Sequence, residues 1–253
     1  MNASIGSFRR RLFAAWAAWL VVVLGCGAAP VRAETTVRLA RIENIPDQAV
    51  GGEILKAVYR RMGIELVLVD MPAKRALIES SQGRVDGEVQ RILAVKDEYP
   101  TLLPVQVPLN YIEPAAFVKR QQFRVDGWES LRPYAIGIVR GVGSSERGTQ
   151  GMPRVEAATT MDQLMTMLAA ERVDVAVNDL FSGLLVNRRL GLDGALRPLS
   201  PPLERILLYH FLHESRRDLV PRVEQTMRQM QASGELERLR REITERMLED
   251  ARK

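Results

Sequence analysis

Segments with strand-like and helix-like patterns alternate along this chain, and the same alternation begins a second time near its middle. The first series opens with the alternating residues 36–41 and a helical stripe over 52–62 that ends before Gly63. The second series opens with the apolar residues 134–139, which lead into a glycine-rich turn. Strands that alternate with helices are typical of parallel sheets connected by crossover helices. We therefore expect an α/β fold in which two halves each contain a mainly parallel sheet.

Residues 1–33 have the layout of a secretory signal. A basic segment at 9–11 is followed by an apolar run over 12–24, and small residues precede the position after Ala33. A helix that crosses a membrane needs about 20 apolar residues, which is more than this run supplies. We therefore expect cleavage after Ala33 and export to the periplasm. The alternative is lipid attachment at Cys26, because the residues before it also fit a lipobox.

Removal of the predicted signal leaves a nearly neutral chain. The whole sequence has 36 Lys and Arg against 31 Asp and Glu, and residues 1–33 contain four of the arginines and no acidic side chain. The remaining 32 basic and 31 acidic side chains do not support a nucleic-acid-binding function. Loss of Cys26 would also exclude disulfides and cysteine-based sites. His210 and His213 would face opposite sides of a strand, so we expect no metal and no cofactor.

Polar side chains follow the predicted strands at the edge where open α/β sheets bind ligands, beyond the carboxyl ends of the strands. In the first half, Asn44 follows the first strand, and three more lie in or directly after the third strand: Glu88, Gln90 and Arg91. In the second half the candidates are Arg140, Gly143, Ser144, Ser145, Asn178 and Asp179. We expect these groups to converge on one cleft and to bind a small polar ligand.

Four motifs resemble the periplasmic solute-binding proteins of family 3, the polar amino-acid type. The stretch GGEILKAVYRRMGIELVLVDMPAKRALIESSQGRVDGEVQR at 51–91 resembles the first lobe of that family. GWESLRPYAIGIVRGVGSSE at 127–146 and AAERVDVAVND at 169–179 resemble two strands of its second lobe. VPRVEQTMRQMQASGELERL at 220–239 resembles its closing helix pair. The motifs occur in the family's order and span nearly the whole chain after residue 33.

The resemblance implies a type 2 periplasmic-binding-protein fold, with two α/β lobes joined by two hinge strands and the ligand between them. Lobe 1 would comprise residues 34–118 and 205–253, and lobe 2 residues 119–204. Such proteins close on their ligand by hinge motion and deliver it to an ABC permease or a membrane sensor. We expect a monomeric binding protein that is not an enzyme.

Two other functions remain open at this stage. A dehydratase on the same fold could use Glu88 and Asp179 as an acid–base pair in one cleft. A sensory or scaffold protein could keep the two lobes without a small-molecule cargo. This second alternative is motivated by the carboxylate-binding arginine of the family, which is missing from its usual position in this chain.

The resemblance also implies roles for residues of the second lobe. Asp179 matches the acidic residue that binds the ammonium group of an amino acid, and an N-cap of the following helix is the alternative role. The turn at Gly143, Ser144 and Ser145 matches the one that binds the acid group of the ligand, with a plain helix cap as the alternative.

The carboxylate-binding arginine of the family has no direct counterpart here, because its position is occupied by Glu98. Arg91 is predicted to replace it, since a planar guanidinium binds a carboxylate through two hydrogen bonds. Arg75 is a reserve candidate, and a structural ion pair is the alternative role of Arg91. Tyr111 and Trp128 are candidate stacking surfaces.

Overall fold

Two five-stranded mixed sheets, each covered by helices, form the part of the chain that the structure, a computed structural model, describes: residues 36–251. The strands are β1 (Thr36–Ile42), β2 (Glu65–Met71), β3 (Gly87–Arg91), β4 (Leu102–Ile112), β5 (Pro114–Val118), β6 (Ile136–Val139), β7 (Val155–Ala158), β8 (Val175–Asp179), β9 (Arg197–Pro198) and β10 (Ile206–His213). The helices are α1 (Pro46–Arg61), α2 (Ala73–Ser81), α3 (Val95–Glu98), α4 (Gly143–Gly148), α5 (Met161–Ala169), α6 (Leu180–Arg189), α7 (Leu219–Ala232) and α8 (Glu235–Asp250).

The predicted signal at 1–33 and the alternative lipidation site at Cys26 lie outside the described residues. Within residues 36–251, no helix combines the length and the apolar character that a membrane span requires.

The first sheet has the strand order β2-β1-β3-β10-β4. β1 pairs in parallel with β2 and β3, whereas β10 runs antiparallel to both β3 and β4. α1 begins at Pro46, six residues earlier than predicted, because proline suits the first turn of a helix. Its buried stripe of Ile54, Leu55 and Val58 packs with Leu39 of β1 in the core of this lobe. The first lobe denotes this sheet together with α1–α3, α7 and α8.

The second sheet has the strand order β7-β6-β8-β5-β9 and, together with α4–α6, forms the second lobe. β6 pairs in parallel with β7 and β8, and β5 runs antiparallel to β8 and β9. The residues of β5 alternate between two cores, with Ala115 and Phe117 in one and Ala116 and Val118 in the other. This period-two pattern buries the sheet on both faces, so β5 reads as a continuous apolar run.

The chain crosses between the sheets twice. Only Glu113 separates β4 from β5, so one extended segment pairs first with β10 and then with β8. Residues 114–118, which the sequence analysis assigns to lobe 1, therefore lie in the second sheet. An apolar run predicts a buried strand without indicating which sheet it joins, and this is the physical reason for the difference. On the return, the Leu203 N–H donates to the carbonyl of Pro114 at 2.8 Å shortly before β10 begins.

A histidine–tyrosine pair is buried in the first lobe. The Nδ1 atom of His210 lies 2.7 Å from the carbonyl oxygen of Glu88, and its Nε2 lies 2.9 Å from the hydroxyl of Tyr59. Because a carbonyl only accepts, Nδ1 carries the proton and the tyrosine donates to Nε2. Burial lowers the pKa of His210 to about 4, so the ring is neutral at pH 7.

Replacing His210 with Asn should make the stability of the protein less sensitive to acid. The pKa of His210 is about 4 when folded against 6.5 in the unfolded chain, so the unfolded state binds more protons between these values. The contribution of the neutral ring is complete above pH 6.5, and about 3 kcal/mol of it is lost as the pH falls to 4. Urea denaturation at pH 7.5 and pH 4 should show a larger loss for the wild type than for H210N. Equal losses in the two proteins would contradict this assignment.

Candidate functional site

A cavity of about 900 Å³ opens where loops of both lobes meet α6 and α8. The first lobe contributes Asn44, Ile45 and Pro46, which follow β1. The second lobe contributes residues 139–142 at the end of β6 and residues 159–162, which follow β7 and include the start of α5. These segments lie at the carboxyl ends of parallel strands, where ligands bind in open α/β sheets. Of the predicted ligand residues, Asn44 and Arg140 line the cavity.

Most of the polar groups around this cavity already have partners. Asp162 forms an ion pair with Arg189 of α6. The hydroxyl of Thr160 caps α5 by accepting the Gln163 N–H at 3.1 Å, and Gln163 Oε1 accepts the N–H of Thr159 at 2.8 Å. This arrangement resembles a capping box, except that the Gln163 side chain accepts the N–H of the residue before the N-cap. The groups therefore shape the wall of the cavity and leave little hydrogen-bonding capacity for a ligand.

Asp179, the predicted ammonium ligand, is a partly buried helix cap. Its Oδ1 accepts the backbone N–H of Glu113 at 2.9 Å, and its Oδ2 accepts the N–H of Ser182 in the first turn of α6 at 3.0 Å. Burial raises the pKa of Asp179, and the two backbone hydrogen bonds lower it in part. The neighbouring Asn178 accepts the Asp179 N–H, while its buried Nδ2 has no partner within residues 36–251. These contacts give Asp179 the alternative role named above, that of an N-cap of α6. Its role as a ligand contact stays a prediction.

Arg91, the predicted carboxylate clamp, forms a structural ion pair. Its Nε lies 2.8 Å from Glu88 Oε2, and its Nη2 donates to the carbonyl of Ala73 at 2.9 Å. Glu88 is fully buried and its other oxygen accepts the Ser80 hydroxyl at 2.8 Å. Burial raises the pKa of Glu88, and the charge of Arg91 opposes that shift. Arg75 is exposed, 3.8 Å from Glu79. Neither arginine lines the cavity.

The serine turn of the second lobe packs inward. Ser145 is buried, and its carbonyl accepts the hydroxyl of Thr149 at 2.7 Å. Neither Ser144 nor Gly143 lines the cavity, although the loop just before them does. Trp128 packs against Gly148, where a Cβ would lie 2.2 Å from the indole ring. The tryptophan therefore belongs to the core of this lobe.

Comparison with known proteins gives a sequence relative and several structures. No protein-family model matches the chain. An uncharacterized protein of Shewanella oneidensis is 22% identical over 188 residues, which cover 72% of this chain and 69% of that protein. The probable amino-acid ABC transporter extracellular-binding protein of Bacillus subtilis gives a TM-score of 0.68 at 16% identity, over 81% of this chain and 96% of its own. A histidine kinase sensor domain with similarity to periplasmic binding proteins gives a TM-score of 0.63 at 19% identity, over 82% and 95%.

The chain has the periplasmic-binding-protein fold. The two-lobed α/β architecture that the sequence motifs predict is thereby confirmed. The antiparallel pairs of each mixed sheet come from strands on either side of the two crossings, β4 with β10 and β5 with β8.

In this binding-protein fold, a network of polar side chains lies beside the first crossing. It includes Gln90, a predicted ligand residue that does not line the cavity, and Asp47, Asn110 and Arg240, which the sequence analysis did not identify. Asp47, the second residue of α1, accepts hydrogen bonds from Gln90 Nε2 at 2.5 Å and from Asn110 Nδ2 at 2.7 Å. Asn110 Oδ1 accepts Nε–H of Arg240 on α8 at 2.8 Å. Burial places the pKa of Asp47 well above its usual range, the charge of Asp179 raises it further, and Arg240 lowers it.

Tyr111 continues the network to the crossing itself. Two guanidinium groups lie over its ring, that of Arg240 at 3.6 Å and that of Arg205 at 4.2 Å from the ring centroid. Arg205 also pairs with Glu113 at 2.6 Å, and the backbone of Glu113 donates to Asp179. These contacts connect α8 of the first lobe with the start of α6 in the second. The sequence offers no local signal for them, because the partners are far apart along the chain.

Replacing Arg240 with Gln should destabilise the protein more at pH 8 than at pH 5. Arg240 lowers the pKa of Asp47 and of Asp179, so without it both folded carboxyl groups keep their protons to higher pH. In the unfolded chain they ionise near pH 4, so the variant loses stability relative to the wild type as pH rises. We expect a loss of about 2 kcal/mol at pH 8 in urea denaturation. Arg238→Gln on the exposed face of α8 is the control, and an R240Q loss that is equal at both pH values would contradict the assignment.

Replacing Gly51 with Ala should also destabilise the protein. A Cβ at Gly51 would lie 2.2 Å from Gln90 Oε1, and the amide of Gln90 is held by Asp47. We expect a cost of about 1–3 kcal/mol, as for other overpacked sites, and a clearly smaller cost in a Gln90→Ala background. Thermal unfolding of the four proteins of this cycle measures the coupling. Gly194→Ala, where a Cβ would meet open space, is the matched control, and additive effects of the pair would refute the proposed contact.

Proposed function

We propose that this protein is an exported binding protein that captures a small polar metabolite, an amino acid or a related amine or carboxylate, in the cavity between its lobes. The observation that carries the proposal is the shared lining of the cavity, with Asn44 from the first lobe and Arg140 from the second. A ligand that contacts both lobes stabilises the arrangement in which they are close together. The volume of the cavity, about 900 Å³, suits a small molecule.

The structural neighbours support two destinations for the captured ligand. The Bacillus subtilis neighbour is named as part of an amino-acid ABC transporter, and another neighbour is the sensor domain of a histidine kinase. We therefore propose that the protein works in the periplasm as a monomer and presents its ligand to an ABC permease or to a membrane sensor. Both destinations require the same cleft and the same closure.

The contacts of the two candidate acid–base residues favour binding over catalysis. Glu88 is held by Arg91 and Ser80, and both oxygens of Asp179 accept backbone N–H groups. Neither carboxyl group lines the cavity, so an acid–base role for this pair lacks the geometry that proton transfer requires. Recovery of the bound ligand unchanged, as judged by mass spectrometry after prolonged incubation, is the result that the binding role predicts. A converted ligand would favour the dehydratase alternative.

Filling the cavity should abolish ligand binding. The test is a thermal-shift and calorimetric screen of the ligand-free protein against amino acids, amines and small organic acids. A ligand at a hundred times its Kd should stabilise the wild type by about 2.7 kcal/mol. Val142→Trp, which places a large side chain at the cavity wall, should weaken binding at least tenfold. Val67→Trp, at an exposed position of β2 away from the cavity, should bind like the wild type.

Two results of this screen would overturn the proposed function. One is the absence of binding across the whole panel. The other is a ligand whose affinity is unchanged in the Val142→Trp protein, since that ligand would occupy a different site.

A further inference from the structure

The charges around the cavity are unequally compensated. Four charged side chains line it, and Asp162 is paired with Arg189. Asp250 has an interaction partner of its own. The guanidinium of Arg140, on the loop after β6, forms no hydrogen bond or ion pair within residues 36–251 and is exposed to the opening. The cavity therefore offers a ligand one positive charge that nothing in the described part of the chain neutralises.

An arginine in this setting favours an organic anion. A guanidinium has a planar set of donors that matches the two oxygens of a carboxylate, and a charge-assisted hydrogen bond is about twice as strong as a neutral one. The amide of Asn44, which lines the cavity from the first lobe, adds both a donor and an acceptor. Asn44 has a backbone φ of 58°, which asparagine tolerates better than most residues.

Asp179, whose carboxylate would have to bind the ammonium group of an amino acid, already has hydrogen-bond donors within the protein. Both oxygens of Asp179 are bonded to backbone N–H groups of Glu113 and Ser182, and this residue does not line the cavity. Breaking either contact to bind a ligand would leave a buried N–H without a partner, which costs free energy. The acidic groups near the cavity thus hold the protein together, and the unpaired charge that faces the ligand is positive.

The rest of the wall is largely apolar. Apolar side chains of both lobes line the wall, among them Ile45, Val139, Met161, Leu185 and Met247. Apolar surface of this kind gains free energy by covering hydrocarbon and gains nothing by covering a charged group. A ligand complementary to the cavity therefore has one anionic end and an apolar body.

We propose that the cargo is a small organic acid with an apolar body, bound through its carboxylate to Arg140, and that an α-ammonium group adds nothing to its affinity. This inference rests on the proposed function, because it names the ligand class of the same cavity. It differs from an amino-acid specificity in one measurable respect. The plain acid should bind at least as tightly as the amino acid with the same carbon chain.

The experiment is a titration calorimetry series on the ligand-free protein with ligands that differ in one group. Straight-chain carboxylic acids of four to eight carbons are compared with their 2-amino and 2-hydroxy derivatives and with the matching primary amines. We expect at least one plain or 2-hydroxy acid to bind, its 2-amino derivative to bind no tighter, and the amine not to bind. Tighter binding of the 2-amino derivatives or of the amines would overturn the inference.

A pair of variants tests the role of Arg140. Arg140→Gln should weaken binding of the acid at least tenfold, and Arg140→Lys should recover part of the loss because it restores the charge. Arg124→Gln removes another exposed arginine of the second lobe, one that does not line the cavity, and should change the affinity less than twofold. Unchanged affinity in R140Q would overturn the inference.

The outcomes separate the ligand class from the binding function. If amino acids or amines bind in the cavity and plain acids do not, the proposed ligand class is wrong and the binding function stands. If no compound of the broader panel binds, the binding function itself is contradicted.

Discussion

The carboxylate of Asp179 is the contact on which the arrangement of the two lobes depends. It caps α6 through Ser182 and at the same time accepts the N–H of Glu113, where the chain passes from the first sheet to the second. Even a partly buried carboxylate is costly unless its oxygens are hydrogen-bonded, so these two contacts fix the end of β8 against the crossing. α6 therefore starts at a defined place, and its residues Leu185 and Arg189 reach the cavity.

The C-terminal helix takes part in the same junction. Arg240 of α8 lies over the ring of Tyr111, donates to Asn110 and places its positive charge near the carboxyl groups of Asp47 and Asp179. Met247 of the same helix lines the cavity. α8 thus contacts the crossing and also lines the cavity. The guanidinium of Arg240 on this helix compensates the negative charge of the buried Asp47. Movement of the lobes would have to preserve or exchange these contacts.

The charged groups of this protein divide into two sets with different tasks. The buried Glu88 and the partly buried Asp179 are hydrogen-bonded to other protein groups, and removal from water raises the pKa of both carboxyl groups. Arg140 is exposed at the cavity, and its guanidinium forms no hydrogen bond or ion pair with any residue of 36–251. Residues that resemble the ligand contacts of amino-acid binding proteins thus serve here in caps and ion pairs.

The sequence by itself determined the local elements, because the spacing of apolar residues over a few positions decides whether a segment buries one face of a helix or of a strand. The alternation of elements, the apolar stripe of α1 and the restart at residues 134–139 all follow from such spacing. The tertiary structure decided which sheet receives Pro114–Val118 and that both oxygens of Asp179 accept backbone N–H groups. It also decided that Asn110 meets Arg240, 130 residues further along. Contacts between distant residues depend on the packing of the whole chain, which no short pattern encodes.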